Sequence, residues 1–406
     1  MYFTFAWRYF KAKKSANAIN IIAWVTVGVI AFATCCQVLV LSVFNGFEDL
    51  VKSLYSSFYS DVKIAPASGK TFMLTAQQIA LIKKLPDVVN ISLIAEEKAL
   101  LKNNDARTPV FLKGVDDNYE KVTAVAANTT RGKYFTGTTD EPYLVAGSGI
   151  QNAADLSFDR ALPDDALTVI LPKRNSVNND PLQSLSEGFI KPSGSFTIQQ
   201  EFDDKYAITN IGFVKQQMGF AADEYSAVEI KLNQRSDPQE AKKGMEVLLG
   251  NNYKVQTKYE QNTTLYNTMK LEKWVIYSLF TLILIVSAFT MVSALTMLVL
   301  EKRKDISVLQ SMGAQKTSIL KIFLSEGLLL GSIGTTIGIL TATLLCLLQL
   351  KFKIIKLAGG SFLLDYFPVK LIVTDFILVA ATATSIAFIA AWFPARKASR
   401  QEFELR

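Results

Sequence analysis

The stretch Trp274–Leu300, WVIYSLFTLILIVSAFTMVSALTMLVL, decides the fold because it contains no Asp, Glu, Lys or Arg. Three other stretches, Ser15–Phe47, Gly327–Leu350 and Phe376–Ala395, also lack all four charged residue types. A hydrocarbon core of roughly 30 Å is crossed by about 20 helical residues, and a helix satisfies its own backbone hydrogen bonds there. The sequence therefore predicts four transmembrane helices, since the buried helices of a soluble protein are usually shorter and keep a polar face.

The distribution of Lys and Arg predicts which helix ends lie in the cytoplasm. Short cytoplasmic loops are enriched in both residues, and here they concentrate before the first helix, after the second and after the fourth. The short outer loop is an exception, with Lys351, Lys353, Lys356 and Lys370. The predicted segments are a cytoplasmic segment 1–18, helix 1 at 19–44, an outer domain with stalks at 45–271, helix 2 at 272–300, a cytoplasmic loop 301–321, helix 3 at 322–350, an outer loop 351–373, helix 4 at 374–394 and a cytoplasmic tail 395–406.

Composition excludes several classes of function. The 406 residues carry a net charge of +7 and no histidine, and the apolar run of the first helix is too long for a signal peptide. The three cysteines, Cys35, Cys36 and Cys346, lie in predicted spans, which favours packing over a disulfide or metal site. The sequence has no phosphate-binding loop, nucleophile elbow or nucleic-acid-binding motif. We therefore expect no catalytic residue, metal or cofactor in this chain, and no nucleic-acid partner.

The region between the first two helices is predicted to be a mixed α+β domain. Apolar periodicity indicates helices at Thr75–Leu85 and Pro238–Leu249. Runs rich in β-branched and aromatic residues indicate strands at Val62–Ala65, Val88–Leu93, Val110–Val115, Leu167–Leu171, Ser195–Gln199, Tyr206–Phe213 and Ala227–Leu232. The predicted fold class is a membrane protein of four transmembrane α-helices, with a large α+β extracytoplasmic domain inserted between helices 1 and 2.

A long polar stretch interrupts these strands. Residues Pro172–Gly194, PKRNSVNNDPLQSLSEGFIKPSG, contain Pro and Gly and lie between two predicted strands. They are predicted to form an extended hairpin or a loop that adds little to the core. A loop of this length in a compact domain is usually functional or disordered.

The loop after the second helix contains a short amphipathic helix. Ile306 with Leu309, and Val308 with Met312, share a broad apolar arc at helical spacing, and Gly313 can end the helix in a left-handed conformation. A partner protein or the membrane surface would bind such an arc. Periodicity alone leaves both alternatives open.

The third span carries a narrow face of small residues. Gly327, Gly331, Gly334 and Gly338 recur at helical spacing, and such faces let two helices approach closely. The fourth span offers small residues at matching intervals. We therefore predict that the third and fourth helices dock through these two faces. The matching residues of the fourth span are Ala380, Thr384, Ala387 and Ala391.

Helices 1 and 2 are predicted to extend beyond the bilayer as stalks. The first continues into Asn45–Tyr59, where Phe47, Leu50 and Leu54 recur at helical spacing, and the second is preceded by a polar, helix-like lead at Gln261–Lys273.

Three segments together resemble a known family. They are EKRKDISVLQSMGA at 301–314, IFLSEGLLLGSIGTTIGI at 322–339 and FPARKAS at 393–399. With the order of one span, a large outer domain and three spans, they resemble the FtsX-like, MacB-type permeases of ABC transporters, and within that group the lipoprotein-releasing LolC/LolE-type subunits. The likeness covers essentially the whole chain and is most specific over 271–338.

The resemblance implies a location, partners and roles. It implies a MacB-like periplasmic domain, the bacterial inner membrane, a second permease copy or paralogue, a LolD-like ATPase that carries the ATP and Mg, a lipoprotein substrate, membrane lipids and a LolA-like carrier. The implied coupling residues are Glu301, Lys302, Arg303, Asp305, Ile306, Leu309, Met312 and Gly313. The implied carrier-binding residues are Pro172, Lys173, Arg174, Pro181, Phe189 and Pro192, and the lipid-facing stalk residues are Phe44, Phe47, Leu50 and Leu54.

Two other functions fit the same architecture. An FtsX-like permease that regulates a periplasmic hydrolase would move no substrate, and an efflux permease would move a small molecule or peptide. An enzyme in the membrane has no support, since the sequence offers no catalytic residues.

Overall fold

The chain folds into two compact units. An extramembrane unit contains Val51–Tyr266, and a membrane unit is formed by Met1–Leu50 with Asn267–Arg406. Arg174 and Pro181 of the predicted carrier-binding set lie outside the described residues. The computed structural model describes residues 17–158, 166–173, 185–250, 252–356 and 366–400, with side chains from residue 21 onward.

Four helices of the described chain are long and apolar enough to cross a membrane. The first and second are longer than a bilayer needs, since about 20 residues suffice. The large α+β unit lies in the sequence between them, so the predicted fold class is confirmed. The four helices are α1 (Asn17–Phe58), α9 (Thr263–Glu301), α11 (Lys316–Phe352) and α12 (Val373–Ser399), and the short α10 (Arg303–Ser311) lies between α9 and α11.

The extramembrane unit is built on one large mixed sheet. Its strands are β1 (Val62–Pro66), β3 (Val88–Asn103), β4 (Ala106–Val115), β5 (Thr129–Gly132), β6 (Tyr143–Gly147), β7 (Leu167–Pro172), β8 (Leu185–Phe196), β9 (Tyr206–Asn210), β11 (Ala227–Leu232) and β12 (Tyr253–Thr257), while β2 (Phe72–Met73) pairs with β10 (Glu224–Tyr225). The helices are α2 (Ala76–Lys83), α3 (Tyr119–Val122), α4 (Ser148–Ala153), α5 (Gln200–Asp203), α6 (Ile211–Met218), α7 (Pro238–Leu249) and α8 (Lys258–Gln261).

The strand order of the large sheet is β12-β1-β11-β3-β4-β9-β6-β8-β5, and β7 pairs with both β3 and β8. Most pairs are antiparallel, but β4 with β9 and β6 with β8 are parallel. The long β3 pairs with β11, β4 and β7 along its length, and thereby connects the two halves of the sheet.

Both helices predicted in this unit are confirmed, and their sequence signals have visible partners. The Thr75 hydroxyl accepts from the Gln78 backbone at the start of α2, while the Gln78 side chain accepts from the Thr75 backbone, which forms a capping box. At α7 the Asp237 side chain accepts from Gln239 N, and Pro238 occupies the first turn.

Two of the predicted strands extend beyond the observed ones. The predicted strand Tyr206–Phe213 ends at Asn210, because the Asn210 side chain accepts from Gly212 N at 2.8 Å and starts α6 as its N-cap. The predicted strand Ser195–Gln199 contributes only its first two residues, which end the longer β8.

Candidate functional site

The short helix α10 begins at a bend in the chain directly after α9. The bend lies at Lys302, whose backbone N donates to Leu298 O at 3.0 Å and whose backbone O accepts from Ile306 N at 2.9 Å. The Lys302 side chain also pairs with Asp305 at 2.9 Å, one turn further on. These contacts connect α10 to α9 without a flexible linker.

The end of α10 is a tight left-handed cap, as the sequence predicted. Gly313 has φ of +91°, which glycine adopts without a steric cost. Its backbone N donates to Gln310 O at 3.0 Å, and Ala314 N donates to Leu309 O at 3.0 Å. This pair of bonds is a Schellman motif, and it turns the chain into α11 within a few residues.

The predicted apolar arc of α10 is divided between two environments. Ile306 is only 3% exposed, whereas Val308 is 58% and Met312 79% exposed, and Leu309 is half-buried. The structure thus places Ile306 in the interior of the membrane unit, not on a surface that a partner can reach. Its buried neighbours are Leu298, Val299, Ile319, Phe323, Ala395 and Ala398.

The charged members of the predicted coupling set surround the start of this helix. Glu301 and Arg303 are exposed, and Lys302 and Asp305 are half-buried. The accessible part of α10 therefore combines two apolar side chains with a rim of both charge signs.

The small-residue face of α11 contacts two different helices. A Cβ added at Gly327 or Gly331 would lie under 3.0 Å from Ala391 or Ala387 of α12. The predicted docking of the third and fourth helices therefore holds at this half of the face.

The other half of the face meets α1. A Cβ at Gly334 would lie 3.0 Å from Ile30, and one at Gly338 would lie under 3.0 Å from Ala31 O. The expectation that all four glycines face the fourth helix was wrong, because one face of this long helix contacts α12 at Gly327 and Gly331 and α1 at Gly334 and Gly338. On α12, Ala380 is half-buried and Thr384 exposed, and both line an open groove with Leu328 of α11. The buried ridge of α12 is instead Val379, Ala383, Ala387, Ala391 and Ala395.

A stripe of polar side chains on α9 contacts α1 and α12. Lys273 Nζ donates to Asn45 Oδ1 at 2.9 Å and lies 3.0 Å from Asp375 Oδ2, to which Asn45 Nδ2 also donates, at 2.6 Å. Asn45 is 2% and Asp375 9% exposed. The three side chains therefore form a charge-assisted cluster that joins three membrane helices.

The same stripe continues along α9 at four-residue intervals. Tyr277 shares a hydrogen bond with Thr382 of α12, and Gln37 of α1 donates to Thr281 Oγ1 at 3.4 Å. Sequence reasoning missed the stripe, because Lys273 lies just outside the charge-free run that defined its span. The signal that could have found it is the pair of opposite charges formed by Lys273 and Asp375, which lie at the starts of the predicted second and fourth helices.

The outer end of α1 is packed against the segment before α12. A Cβ at Gly46 would lie under 3.0 Å from the Pro368 carbonyl, and the rings of Phe47 and Phe367 meet edge to face at 5.7 Å. Phe47 therefore contacts protein, contrary to its assignment as a lipid-facing residue. Phe44, Leu50 and Leu54 are half-buried.

Within the extramembrane unit, the last turn of α1 is buried among aromatic rings. Phe58 stacks on Phe202 at 4.3 Å, and the Lys113 ammonium lies 4.9 Å from the centre of the Phe58 ring. Lys113 pairs with Glu229 at 2.7 Å. Burial by itself would lower the pKa of Lys113, but the Glu229 carboxylate holds that pKa well above its usual value.

The predicted carrier-binding stretch is a strand hairpin over its described part. β7 pairs with β8 from Leu167–Ile190 to Pro172–Leu185, and β8 also pairs with β5 and β6. Phe189 and Pro192 thus lie in a strand, with Phe189 67% exposed and the neighbouring Ile190 buried. The expectation that the stretch adds little to the core was wrong for 185–194, whereas Pro172 and Lys173 are exposed at the end of β7.

The described residues offer surfaces and helix contacts, not a metal centre. Groups of three or more His, Cys, Asp or Glu side chains able to hold a metal ion are absent from them. Cys35 and Cys36 are half-buried free thiols, and Cys346 is a buried one.

Comparison with known proteins finds similarity in the membrane unit and along nearly the whole chain. The family model for the FtsX-like permease C-terminal domain matches residues 277–403. A lipoprotein-releasing system transmembrane protein, LolC of Xylella fastidiosa, is 25% identical over 403 residues, which are 97% of this chain and 95% of that protein. LolE of Haemophilus influenzae is 25% identical over 414 residues, 98% of this chain and 97% of that protein.

Solved structures give a more distant match. The periplasmic region of MacB from Actinobacillus actinomycetemcomitans has a TM-score of 0.37 and 11% identity, and covers 54% of this chain and 98% of that one. Residues 277–403 thus match the FtsX-like permease C-terminal domain, and the chain is similar over nearly its whole length to LolC and LolE.

Proposed function

We propose that this chain is the transmembrane subunit of an ABC transporter that extracts lipoproteins from the bacterial inner membrane. The near full-length similarity to two lipoprotein-releasing subunits supports the substrate class. In this proposal α10 lies in the cytoplasm and the extramembrane unit in the periplasm. A separate ATPase binds ATP and Mg, and a second permease copy or paralogue completes the transporter.

The observation that carries the proposal is the exposed apolar pair on α10. Val308 and Met312 lie one turn apart and face outward, while Ile306 on the same helix is fixed in the membrane unit. An apolar side chain held outward on a rigidly mounted helix suits a groove on a partner. The ATPase would therefore dock on Val308 and Met312, with Leu309 and the charged rim around them.

A push on α10 would be transmitted by its connections at both ends. The bend at Lys302 joins it to α9, and the cap at Gly313 joins it to α11. The polar stripe of α9 would then shift α1 and α12, and α1 continues as one helix to the buried ring of Phe58. In this proposal ATP-driven motion reaches the extramembrane unit through α1 and α9, and the acyl chains enter beside these two helices.

The hairpin of β7 and β8 is the proposed carrier-binding surface, in a narrower form than the sequence suggested. Exposed Pro172, Lys173 and Phe189 are the described residues available to a carrier. Ile190 belongs to the core and is excluded from that role.

The test is the double variant V308D/M312D, purified from membranes with its ATPase. Two carboxylates on the docking face would have to be desolvated in the partner's groove, at a cost of several kcal/mol. We expect normal membrane insertion, loss of the co-purifying ATPase and loss of lipoprotein release from spheroplasts. The matched control is S307D/S311D, which adds the same charge on an adjacent face of the helix.

Retention of both the ATPase and release by V308D/M312D would reject the docking role of α10. Loss of the ATPase in both double variants would mean that negative charge anywhere on α10 prevents binding, and the apolar pair would then have no specific role. A separate experiment depletes this chain from cells. If lipoprotein release continued without it, although the ATPase binds the wild-type chain normally, the proposed substrate class would be wrong.

A further inference from the structure

The C-terminal end of α12 carries two aromatic and three basic side chains on one surface. They line a concavity of about 500 Å³, made of Trp392, Phe393, Arg396, Lys397 and Arg400. Trp392 is 43% and Phe393 69% exposed, and all three cations are exposed. We call this surface the α12 cradle.

The opposite side of the same turns is fixed in the membrane unit. Ala395 and Ala398 are fully buried, in the cluster that also holds Ile306 of α10. The cradle therefore stands on a rigid backbone. Its cations form no ion pair with a described carboxylate, unlike Lys273, Lys302 and Lys370 of the same unit.

The order of the side chains along α12 matches the order of chemical groups in a phospholipid. Trp392 and Arg396 are one helical step of four residues apart, which is about 6 Å along the axis. Aromatic rings at the end of a membrane helix lie at the level of the glycerol and headgroup region. An Arg guanidinium one step beyond would meet the phosphate, to which it can donate two parallel hydrogen bonds.

We propose that the α12 cradle is a binding site for an anionic phospholipid. Arg396 and Arg400 hold the phosphate, Lys397 adds attraction for a headgroup with net negative charge, and Trp392 with Phe393 lines the first part of the acyl chains. Each cation near an anionic membrane surface strengthens binding roughly five-fold. Three cations favour phosphatidylglycerol over phosphatidylcholine, whose headgroup has no net charge. The site is independent of the lipoprotein-release proposal.

The test is native mass spectrometry of the full chain in detergent, titrated with phosphatidylglycerol or phosphatidylcholine. We expect the wild-type chain to bind phosphatidylglycerol at least ten-fold more tightly. The variant R396Q/R400Q should lose most of that preference. The control K304Q/K316Q removes two exposed cations outside the cradle and should keep it.

Three outcomes would overturn the proposal. They are no preference in the wild-type chain, an equal loss of preference in both double variants, and an R396Q/R400Q variant that keeps the lipid preference but loses the ATPase. The last outcome would assign the cations to a protein partner.

A second measurement decides the matter if R396Q/R400Q does not fold. Tryptophan fluorescence of the wild-type chain and of Trp392→Phe is recorded with brominated phosphatidylglycerol and brominated phosphatidylcholine. The difference in quenching between the wild-type chain and Trp392→Phe measures the contribution of Trp392. This difference should be several-fold larger for brominated phosphatidylglycerol than for brominated phosphatidylcholine. Equal quenching by both lipids would reject the site.

Discussion

Two interfaces inside the membrane unit differ in whether polar side chains take part. Where α11 meets α12, Gly327 and Gly331 face Ala391 and Ala387, and no room remains for an extra methyl group. Where α9 meets α1 and α12, the described contacts include hydrogen bonds and an ion pair centred on Lys273. The first interface depends on the close approach of small residues, whereas the second adds charge and hydrogen bonds to apolar contacts such as those of Leu284 and Leu295.

This difference indicates which helices can separate during a transport cycle. Closely packed backbones lose many dispersion contacts when they part, and no other partner restores them. A hydrogen bond between membrane helices contributes only about 0.6 kcal/mol on average and can be exchanged for water or another polar group. We therefore expect α11 and α12 to move as one body, and α9 to change its contacts with α1.

The largest effect is expected at the small-residue interface. In Gly331→Ala the new methyl group would overlap Ala387, so the two helices must shift apart. Overpacking of this kind costs up to about 3 kcal/mol. The measurement is thermal unfolding of the full chain in detergent, and the double variant G331A/A387G should recover most of the loss.

The matched control is Gly28→Ala on α1. An added Cβ at Gly28 has no atom within 4 Å, so this substitution should not lower stability. A loss in Gly28→Ala as large as that in Gly331→Ala would show that helix glycines matter here for their backbone and not for close approach.

A smaller effect is expected when the charged cluster is broken. Asp375→Asn leaves the Lys273 ammonium without its counter-charge, while Asn45 keeps one of its two contacts. Because the Lys273 side chain is 28% exposed, we expect a loss of about 2 kcal/mol, less than for a fully buried pair. The measurement is again thermal unfolding, and the charge-free pair K273M/D375M should recover part of it. If Asp375→Asn were neutral, the cluster would be a surface contact only.

Sequence alone predicted the helices of the membrane unit better than their contacts. A charge-free run is a local property, and it sufficed to place all four membrane helices. Which helix packs against a given face is a tertiary property, and it can change along one long helix, so Gly334 and Gly338 were assigned to the wrong neighbour. Tyr277 and Thr281 gave no signal, because isolated hydroxyl groups in an apolar run look alike whether they face lipid or protein.

The strand β8 shows a second limit of pattern reasoning. Its buried positions include Ser186, Gly188 and Ile190, while Leu185 and Phe189 are exposed. Strand prediction expects the apolar residues of an alternating pattern to point inward. Here small residues point inward on part of the strand, so the segment resembled a polar loop.

The smallest effect is expected from a single hydrogen bond of the polar stripe. Tyr277→Phe removes the hydroxyl that contacts Thr382 of α12 and keeps the ring. We expect a loss of about 0.6 kcal/mol, because the unfolded chain in a membrane or micelle also finds partners for polar groups. The control Ser278→Ala removes a hydroxyl that bonds only within its own helix, to Trp274 O at 2.8 Å, and should be close to neutral. The double-mutant cycle with Thr382→Val isolates the pair. A coupling near zero would mean that the Tyr277–Thr382 contact does not hold α9 to α12, and the contrast between the two interfaces would then rest on the Lys273 cluster.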